Sequence, residues 1–541
     1  MVWSSTLVRE RQPVDVPAEA GATARASLRW YPSAFGLASS AVFLLAVFQN
    51  FYRLSVAPLL PTEGLYVRMG WLYVNWSSLT PARRAPAATN FEHPPLAKIL
   101  LGLAQLAAGH QSLAAARAVD AVCVIATAAL LAWWLGRLVD RWTGLLAGAA
   151  LALIPMPIYL DATRFGRAAE LDTVAQLFML ASLVTGWFWS QASGRRAWAY
   201  AAGAGLCVGL AAASKENGLL GLAGPILLSF FWSRTSWSRL RSWLGQLLLA
   251  GVLAAGTFLA PYLLFDDIRG RIGYLLRFQT DHSANGHLVG FAGRVAIHPP
   301  WWTNFWFAQH SLGLPLTVAL VATAAVALLV RRGPLVGWLA TSLAGPIVFH
   351  CFYAGVTLSY YWTLWAPAVI ALSALGIHQL VVWARTYRST WPGVVAALAV
   401  TAAMVGVAVP VAAETTRIAT LRPEGAGAVA DIREDRGLRG TIISAGIVGG
   451  EISPLIPGTV ITPKFPADMS SVDMIVLGQP RCRVLRPREV RALIVANLQT
   501  QAIRLIHTDR LVKVYLVEHP LTLPTVALVR AQPFEGLADH C

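Results

Sequence analysis

The sequence predicts a polytopic α-helical membrane protein with about 11 transmembrane helices and a small α/β domain at its C-terminal end. Two observations predict the membrane part: of the 541 residues, 56% are hydrophobic and only 13% are charged, and the mean hydropathy is +0.56. A water-soluble chain could not bury so much apolar surface. In lipid each apolar stretch must be helical, because no water is present to satisfy its backbone. The third observation is a change of composition near residue 414, where short strand-like runs replace the long apolar stretches.

The eleven predicted spans are apolar stretches near the length of about 20 residues that crosses a bilayer. They cover 35–56, 112–138, 144–161, 171–190, 197–213, 218–232, 243–264, 310–330, 335–353, 361–383 and 393–412. Residues 1–34 are polar and contain arginines, so the first span rather than a cleavable signal peptide is expected to target the chain. The domain boundaries that follow are a cytoplasmic segment 1–34, a transmembrane domain 35–413 and an extracytoplasmic domain 414–541.

The distribution of arginines predicts the orientation. The net charge is +16, and the arginines fall in short clusters between apolar runs, which is typical of positive-inside loops rather than of nucleic-acid binding. Alternate loops carry these clusters, which indicates a plasma (inner) membrane protein with a cytoplasmic N-terminus and an outer C-terminus. The outer face then receives a first loop, 57–111, a second loop, 265–309, and the tail. Membrane lipids are expected partners, and part of the basic excess suits anionic headgroups.

The loops and the tail outside the membrane have recognisable local patterns. In the first loop, "GLYVRMGWLYVNW" and "PPLAKILLGLAQLAAG" are too short to span comfortably and suit helices that lie along the membrane surface. In the tail, "GTIISAG", "VDMIVLG" and "LVKVYLVE" predict strands and "RPREVRALIVANLQTQ" predicts a helix. Cys482 and Cys541 both belong to this tail, where an oxidising exterior permits either a disulfide or two free thiols.

Ionisable residues collect at the outer ends of the predicted spans, where they indicate function because charge is costly near lipid. Arginines and lysines can hold a phosphate or pyrophosphate, and the candidates are Lys98, Arg164, Arg167, Lys215 and Arg269. Carboxylates can serve as a general base or bind a divalent metal, and the candidates are Glu63 and Asp172. Other readings stay open: Arg164 and Arg167 could form a structural ion pair with Asp172. His282 and His287 could be loop histidines, metal ligands or substrate contacts.

Several segments together resemble one family of membrane enzymes. "NFEHPPLAKILLGLAQLAAG" resembles the first-loop signature of phospholipid-carrier-dependent glycosyltransferases of the GT-C fold, which include protein O-mannosyltransferases and lipid A aminoarabinose transferases. "TRFGRAAELDTVAQLFMLASL" is similar to the family's Arg-x4-Asp segment and "AASKENGLL" to its lysine-containing turn. "LRFQTDHSANGHLVGF" resembles its later loop. The resemblance covers most of residues 40–380 in the expected order.

The resemblance implies an activity and its partners. Family members move a sugar from a polyprenyl-phosphate carrier to a hydroxyl acceptor on the outer face, with inversion at the anomeric carbon. The donor would be a polyprenyl-phosphate-linked sugar, either hexosyl or pentosyl, and the acceptor a protein, glycolipid or cell-wall glycan. No cofactor is certain, and a divalent metal stays open. The alternatives are a transporter or flippase, or a non-catalytic binder of lipid-linked sugars.

The resemblance also implies residue roles, with one departure at the expected base. The family motif Asp-Glu-x-x-Tyr is here "TEGLY", so Thr62 stands at the aspartate position while Glu63 and Tyr66 match. Threonine cannot act as a carboxylate base. Either Glu63, which we favour, or Asp172 therefore takes this role, or the acceptor or the mechanism differs. The substrate-binding residues implied are Tyr66, His93, Lys98, Arg164, Arg167, Lys215, His282 and His287. Of these, His93, Lys98, Arg167 and Lys215 would face the carrier phosphate or sugar, and the two later histidines would close over the donor.

Overall fold

A computed structural model describes most of the chain from residue 33 onward. The described ranges are 33–56, 62–158, 163–233, 236–287, 289–331, 333–388, 390–445, 459–462, 465–478, 487–509 and 512–531. The N-terminal segment 1–32 lies outside them, as do Cys482 and Cys541, the two residues of the predicted disulfide or free thiols.

Nine helices within the described ranges are long and apolar enough to cross a membrane. They are Ala34–Phe51, Leu113–Leu138, Asp172–Gln191, Gly194–Ser214, Trp237–Leu264, Leu314–Arg331, Pro334–Tyr353, Tyr361–Thr386 and Trp391–Ala419. Each coincides with a predicted span. A multi-pass helical membrane protein is therefore confirmed, whereas the count of eleven is not.

The two remaining predicted spans fall on shorter helices. The span expected at 144–161 is a helix of 13 residues, Arg141–Leu153, about 20 Å long at 1.5 Å per residue and so shorter than the roughly 30 Å hydrocarbon core. Pro155 and Pro157 follow, and proline both lacks an N–H and restricts the residue before it, which ends the helix. The span expected at 218–232 overlaps the apolar helix Glu216–Phe231, which also lacks the length of a candidate span.

The helices are labelled in chain order. They are α1 Ala34–Phe51, α2 Glu63–Val74, α3 Leu96–Ala107, α4 Leu113–Leu138, α5 Arg141–Leu153, α6 Asp172–Gln191, α7 Gly194–Ser214, α8 Ala223–Ser233, α9 Trp237–Leu259, α10 Ile268–Asn285, α11 Thr303–Leu312, α12 Leu314–Val326, α13 Pro334–Val348, α14 Ala366–Thr386, α15 Trp391–Ala419, α16 Ala426–Asp435, α17 Pro487–Gln499 and α18 Val526–Ala531. Single turns of 3₁₀ or π helix extend several of these, among them Glu216–Leu222 before α8 and Tyr361–Trp365 before α14.

Small residues allow the membrane helices to approach closely. α6 packs on α7, and α7 packs on α9. A Cβ added at Gly205 would lie 2.7 Å from the Cα of Ala250, and one at Gly209 would lie 3.0 Å from the Cα of Ala254. Glycine and alanine therefore line the α7–α9 contact, as in many membrane helix pairs where packing rather than the hydrophobic effect drives association.

The first loop contains two helices, α2 and α3, at the positions where amphipathic helices were predicted. Their backbones touch at Gly70 and Gly102: a Cβ on Gly70 would lie 2.7 Å from the Lys98 carbonyl oxygen, and a Cβ on Gly102 would meet the Gly70 carbonyl group. Leu103 and Leu106 on the opposite face of α3 are 48% and 50% exposed. One face of α3 is thus packed on α2 and the other is left apolar and exposed, which suits a helix at a lipid surface.

We expect Gly102→Ala to destabilise the protein by about 1–3 kcal/mol, because the added methyl group forces two backbones apart. The matched control is Gly273→Ala in α10, where an added Cβ meets nothing within 4 Å and alanine's higher helix propensity should leave stability equal or slightly raised. Unfolding of the two purified variants in detergent checks the difference. Equal stability would contradict the close α2–α3 contact.

The C-terminal part folds as a sheet covered by helices. Its strands are β5 Thr441–Ala445, β6 Ile461–Thr462, β7 Val472–Gly478, β8 Ile503–Thr508 and β9 Val512–Val517, in the order β6-β5-β7-β9-β8. Two strand pairs precede this sheet in the chain: β1 Pro157–Ile158 with β2 Thr163–Arg164, and β3 Val289–Phe291 with β4 Arg294–Ala296. β5 is parallel to β6 and β7, whereas β9 is antiparallel to β7 and β8. The three strands and the helix predicted from the tail are present. β8 was not predicted.

Candidate active site

A group of buried charged residues lies where the N-termini of α2 and α6, the first turns of α4 and the turn after α7 meet. Its members are Glu63, Arg117, Asp120, Glu170, Asp172 and Lys215, and each is at most 2% exposed. Ionisable groups buried at membrane depth are costly and usually pair with one another or serve a function. The sequence analysis expected polar residues of the first loop, of residues 161–172 and of residues 214–218 on one face; the start of α4 was not among these segments.

Asp172 and Lys215 form one buried ion pair at the centre of this group. The Lys215 ammonium donates to both carboxylate oxygens of Asp172, at 2.8 and 2.7 Å. It also lies 4.6 Å from the ring of Tyr360 and 5.0 Å from that of Tyr361. Asp172 is the first residue of α6 and Lys215 follows the last residue of α7, so each helix dipole favours the charge at its end. A phosphate at Lys215 would share the ammonium with Asp172.

Glu63 and Arg117 form a second buried pair, which changes the interpretation of Glu63. Arg117 donates through Nε and Nη2 to the two oxygens of Glu63 at 2.5 and 2.7 Å, and the backbone N–H of Ala169 donates to Oε1 at 2.7 Å. Both side chains are fully buried. This geometry does not favour Glu63 as the general base, because the ion pair and the backbone N–H occupy its carboxylate. Arg117 was missed, although a cation inside a predicted span is itself a signal.

Glu170 lies between these two pairs. Thr62 Oγ1 donates to Glu170 Oε1 at 2.7 Å, and Oε2 has no hydrogen-bond partner in the described part of the chain. Burial raises the pKa of Glu170 to about 8; the Thr62 hydrogen bond opposes this shift, and the charge of Asp172 adds to it. Sequence reasoning missed this residue, although it lies inside the quoted Arg-x4-Asp segment.

Arg167 is buried on the opposite side of that segment and binds the end of α1. Its guanidinium donates to the carbonyl oxygens of Gln49 and Tyr52, both at 2.7 Å, which satisfies acceptors that a helix C-terminus leaves without intrahelical partners. Arg167 therefore fastens the end of α1 to this segment, and its contact with phosphate stays a prediction. Arg164 lies in β2, and its backbone pairs with that of Pro157; its side chain lies outside the described part of the structure.

Lys98 is also fully buried, and it shapes the His-Pro-Pro turn. Its ammonium donates to the backbone carbonyl and the side chain of Asn90, the latter at 3.2 Å, and to the His93 carbonyl at 2.9 Å. Burial lowers the Lys98 pKa to about 7, and the charges of Glu92 and Glu216 partly oppose this. These bonds within the turn favour a positioning role for Lys98, and its predicted place at the carrier phosphate or sugar stays a prediction.

His93 is directed by Lys98 toward Glu216, a residue whose role was not predicted. His93 Nδ1 lies 3.2 Å from Glu216 Oε2, and the ring is edge-on to Tyr66 at 6.2 Å between centroids. Glu216 directly follows Lys215, so the His93–Glu216 pair is adjacent in sequence to the Asp172–Lys215 pair. Of the first-loop predictions, His93 and Tyr66 thus lie beside the buried group.

His282 and His287 line an open cavity of about 420 Å³ in the second loop. Their rings stack at 5.4 Å, and the exposed Arg277 and Asp281 share the cavity wall. Burial lowers the pKa of His282, and the charge of His93 lowers it further while that of Glu216 raises it. The charges of the His93–Glu216 pair therefore act on His282 in the wall of this cavity. No group of three or more His, Cys, Asp or Glu residues in the described ranges is arranged to hold a metal ion.

The chain is similar to a known family and to solved structures. Residues 92–264 match the family model described as dolichyl-phosphate-mannose-protein mannosyltransferase, a stretch that contains His93, Arg117, Glu170, Asp172 and Lys215. No curated protein matches the chain in a sequence search.

The structural similarity extends over most of the chain. ArnT from Cupriavidus metallidurans bound to undecaprenyl phosphate is 13% identical, with a TM-score of 0.60, covering 88% of this chain and 97% of that one. Its apo state gives 14% identity and a TM-score of 0.59 over the same shares. The apo oligosaccharyltransferase of Archaeoglobus fulgidus is 14% identical with a TM-score of 0.51, covering 83% of this chain and 70% of that one. The resemblance noted from the sequence is confirmed, and the fold is GT-C.

Proposed function

We propose that this protein transfers a sugar from a polyprenyl-phosphate carrier to a hydroxyl acceptor at the outer face of the membrane. The observation that carries the proposal is the buried Asp172–Lys215 pair beside His93 and Glu216, inside the region that matches the glycosyltransferase family model. Such transfer needs a base for the acceptor hydroxyl and positive charge for the departing phosphate. Both kinds of group meet in this site.

The surroundings of the site support the proposal that the sugar carrier is a lipid. The apolar face of α3, with Leu103 and Leu106 exposed, begins directly after the turn that carries His93. A polyprenyl chain lying in the bilayer would contact this face while its phosphate reaches Lys215 and His93. The fold is shared with a protein whose structure contains undecaprenyl phosphate, and the same carrier class is proposed here.

The residue roles follow from this placement. Lys215 neutralises the phosphate as it leaves, and Asp172 holds Lys215 in position. His93, fixed by Lys98 and Glu216, and Tyr66 line the sugar side, while His282 and His287 form the wall of the neighbouring cavity. Direct attack by the acceptor on the anomeric carbon inverts its configuration. A transfer assay with different donors and acceptors distinguishes hexose from pentose and identifies the acceptor class.

Reconstituted protein is expected to transfer label from an undecaprenyl-phosphate-linked sugar to an added acceptor. The first donor to test is undecaprenyl-phosphate-linked mannose, following the family-model description, and carriers of other hexoses and of pentoses come next. The acceptors are a Ser/Thr-containing peptide, a glycolipid and a cell-wall oligosaccharide. Proton NMR of the product reports inversion. The exposed variant Asp435→Asn, on α16, is the control and should match the wild type.

Two outcomes would contradict the proposal. Labelled donor that crosses the bilayer without a glycosyl product would indicate a flippase. Donor that binds with no transfer to any acceptor or to water would indicate a non-catalytic binder of lipid-linked sugars.

A further inference from the structure

Four carboxylates are buried in the site, and their partners differ. Glu63 and Asp172 each accept two hydrogen bonds from one cation. Asp120 accepts from Thr173, and Glu170 accepts from Thr62. Within the described ranges, Asp120 Oδ2 and Glu170 Oε2 are the carboxylate oxygens buried without a hydrogen-bond partner. A buried acceptor without a donor costs free energy. The missing donor is explained if a bound ligand supplies it.

Glu170 is better placed than Asp120 to face a reacting hydroxyl. Glu170 interacts electrostatically with both Asp172 and Lys215, the pair assigned to the phosphate. Asp120 interacts electrostatically with Glu170 and Glu63, and its other carboxylate oxygen accepts from Thr173 on α6. Glu170 also stands in the loop before α6, whereas Asp120 is fixed on α4.

Thr62 links Glu170 to the position where a carboxylate was expected. The resemblance noted from the sequence led us to expect aspartate at position 62, and the threonine in this chain cannot accept a proton at neutral pH. Its hydroxyl donates instead to Glu170 Oε1 at 2.7 Å, which orients the carboxylate and leaves Oε2 without a partner. The contact spans 108 residues of sequence, so the carboxylate comes from another loop and lies within hydrogen-bond distance of the side chain at position 62.

We propose that Glu170 is the general base of the transfer and that Thr62 is its positioning residue. This inference rests on the proposed function. The acceptor hydroxyl gives its proton to Glu170 Oε2 while its oxygen forms a bond to the anomeric carbon of the sugar. The bond between that carbon and the carrier phosphate oxygen breaks, and both its electrons leave with the polyprenyl phosphate. Glu170 then returns the proton to water.

The pH dependence expected from this assignment has a definite sign. The pKa of Glu170 is raised to about 8, and only the ionised carboxylate accepts a proton. The rate of transfer should therefore rise from pH 6 to pH 9 with a midpoint near pH 8, as the general base becomes ionised. The charged groups around Glu170 are Glu63 from α2, Asp120 from α4, Asp172 from α6 and Lys215 from the turn after α7. Thr62→Val should move the midpoint upward, because it removes a hydrogen bond that stabilises the anion.

The test compares Glu170→Gln, Asp120→Asn and the double variant T62D/E170Q in the reconstituted assay. Glu170→Gln should lower transfer by roughly 10²–10⁴-fold while undecaprenyl phosphate binding and thermal unfolding stay near wild type. Asp120→Asn should lose less than tenfold. T62D/E170Q, which returns a carboxylate to position 62, should recover at least about tenfold over E170Q, since it restores part of the general-base contribution.

Several results would overturn the inference while the proposed function stands. One is wild-type transfer by folded E170Q; another is a large loss in D120N with E170Q active. If E170Q does not fold, a wild-type pH profile that is flat from pH 6 to 9 rejects Glu170. Absence of any transfer by the wild type, by contrast, would reject the proposed function itself.

Discussion

Replacing Lys215 with methionine is expected to abolish glycosyl transfer and to destabilise the protein by about 3–5 kcal/mol. The ammonium is 2% exposed and bonded to both oxygens of Asp172. Its removal leaves a buried carboxylate without a counter-ion, and it also removes the charge assigned to the departing phosphate. Loss of one such stabilising group lowers turnover by roughly 10²–10³-fold in other enzymes.

The double variant D172N/K215M separates the two effects. It has no uncompensated charge, so most of the stability should return, whereas transfer should stay low. Unfolding titrations in mixed micelles measure the first quantity, and the reconstituted assay measures the second. If the double variant regains both, the Asp172–Lys215 pair is structural and takes no part in transfer.

Replacing Arg117 with methionine is expected to cost a similar 3–5 kcal/mol, but for a structural reason alone. Arg117 binds both oxygens of Glu63 with no exposed surface on either side chain. It also donates to the Leu54 carbonyl at 2.5 Å, so it joins α4 to the chain after α1 and to the start of α2. Its loss leaves Glu63 buried and charged.

The companion variant E63Q/R117M also tests whether Glu63 is the base. With no buried charge it should recover much of the stability, and transfer should stay within about tenfold of wild type, because a general base usually contributes 10²–10⁴-fold. A folded E63Q/R117M protein without transfer, beside an active E170Q, would restore Glu63 as the base that the sequence analysis expected.

The membrane fold and the convergence of segments were predictable from local sequence. Long apolar stretches have few alternatives to helices in lipid, and each of the nine long helices coincides with a predicted span. The observed elements differ from the predicted ones at two places where other residues interrupt the local pattern. Pro155 and Pro157 shorten the third predicted span, and β8 has charged or polar residues that conceal its alternation.

Residue roles at the site were only partly predictable. His93, Tyr66, Asp172 and Lys215 lie together as expected, because each belongs to a motif with a fixed place at a helix end. Arg167 and Lys98 were expected on phosphate, but they bind the backbone of α1 and of the His-Pro-Pro turn. A sequence motif indicates that a cation is needed at such a position, but it does not identify the acceptor of that cation's hydrogen bonds.

By itself, the sequence determined a polytopic helical membrane protein, because hydropathy is a local property, and its resemblance to the GT-C family indicated the loops that carry the chemistry. Only the tertiary structure decided which carboxylates are paired and which retains an oxygen without a donor. Glu63 meets Arg117 across 54 residues, Asp172 meets Lys215 across 43, and Thr62 meets Glu170 across 108. The state of a buried carboxylate depends on the charges within a few ångströms, and those neighbours are set by packing rather than by sequence position.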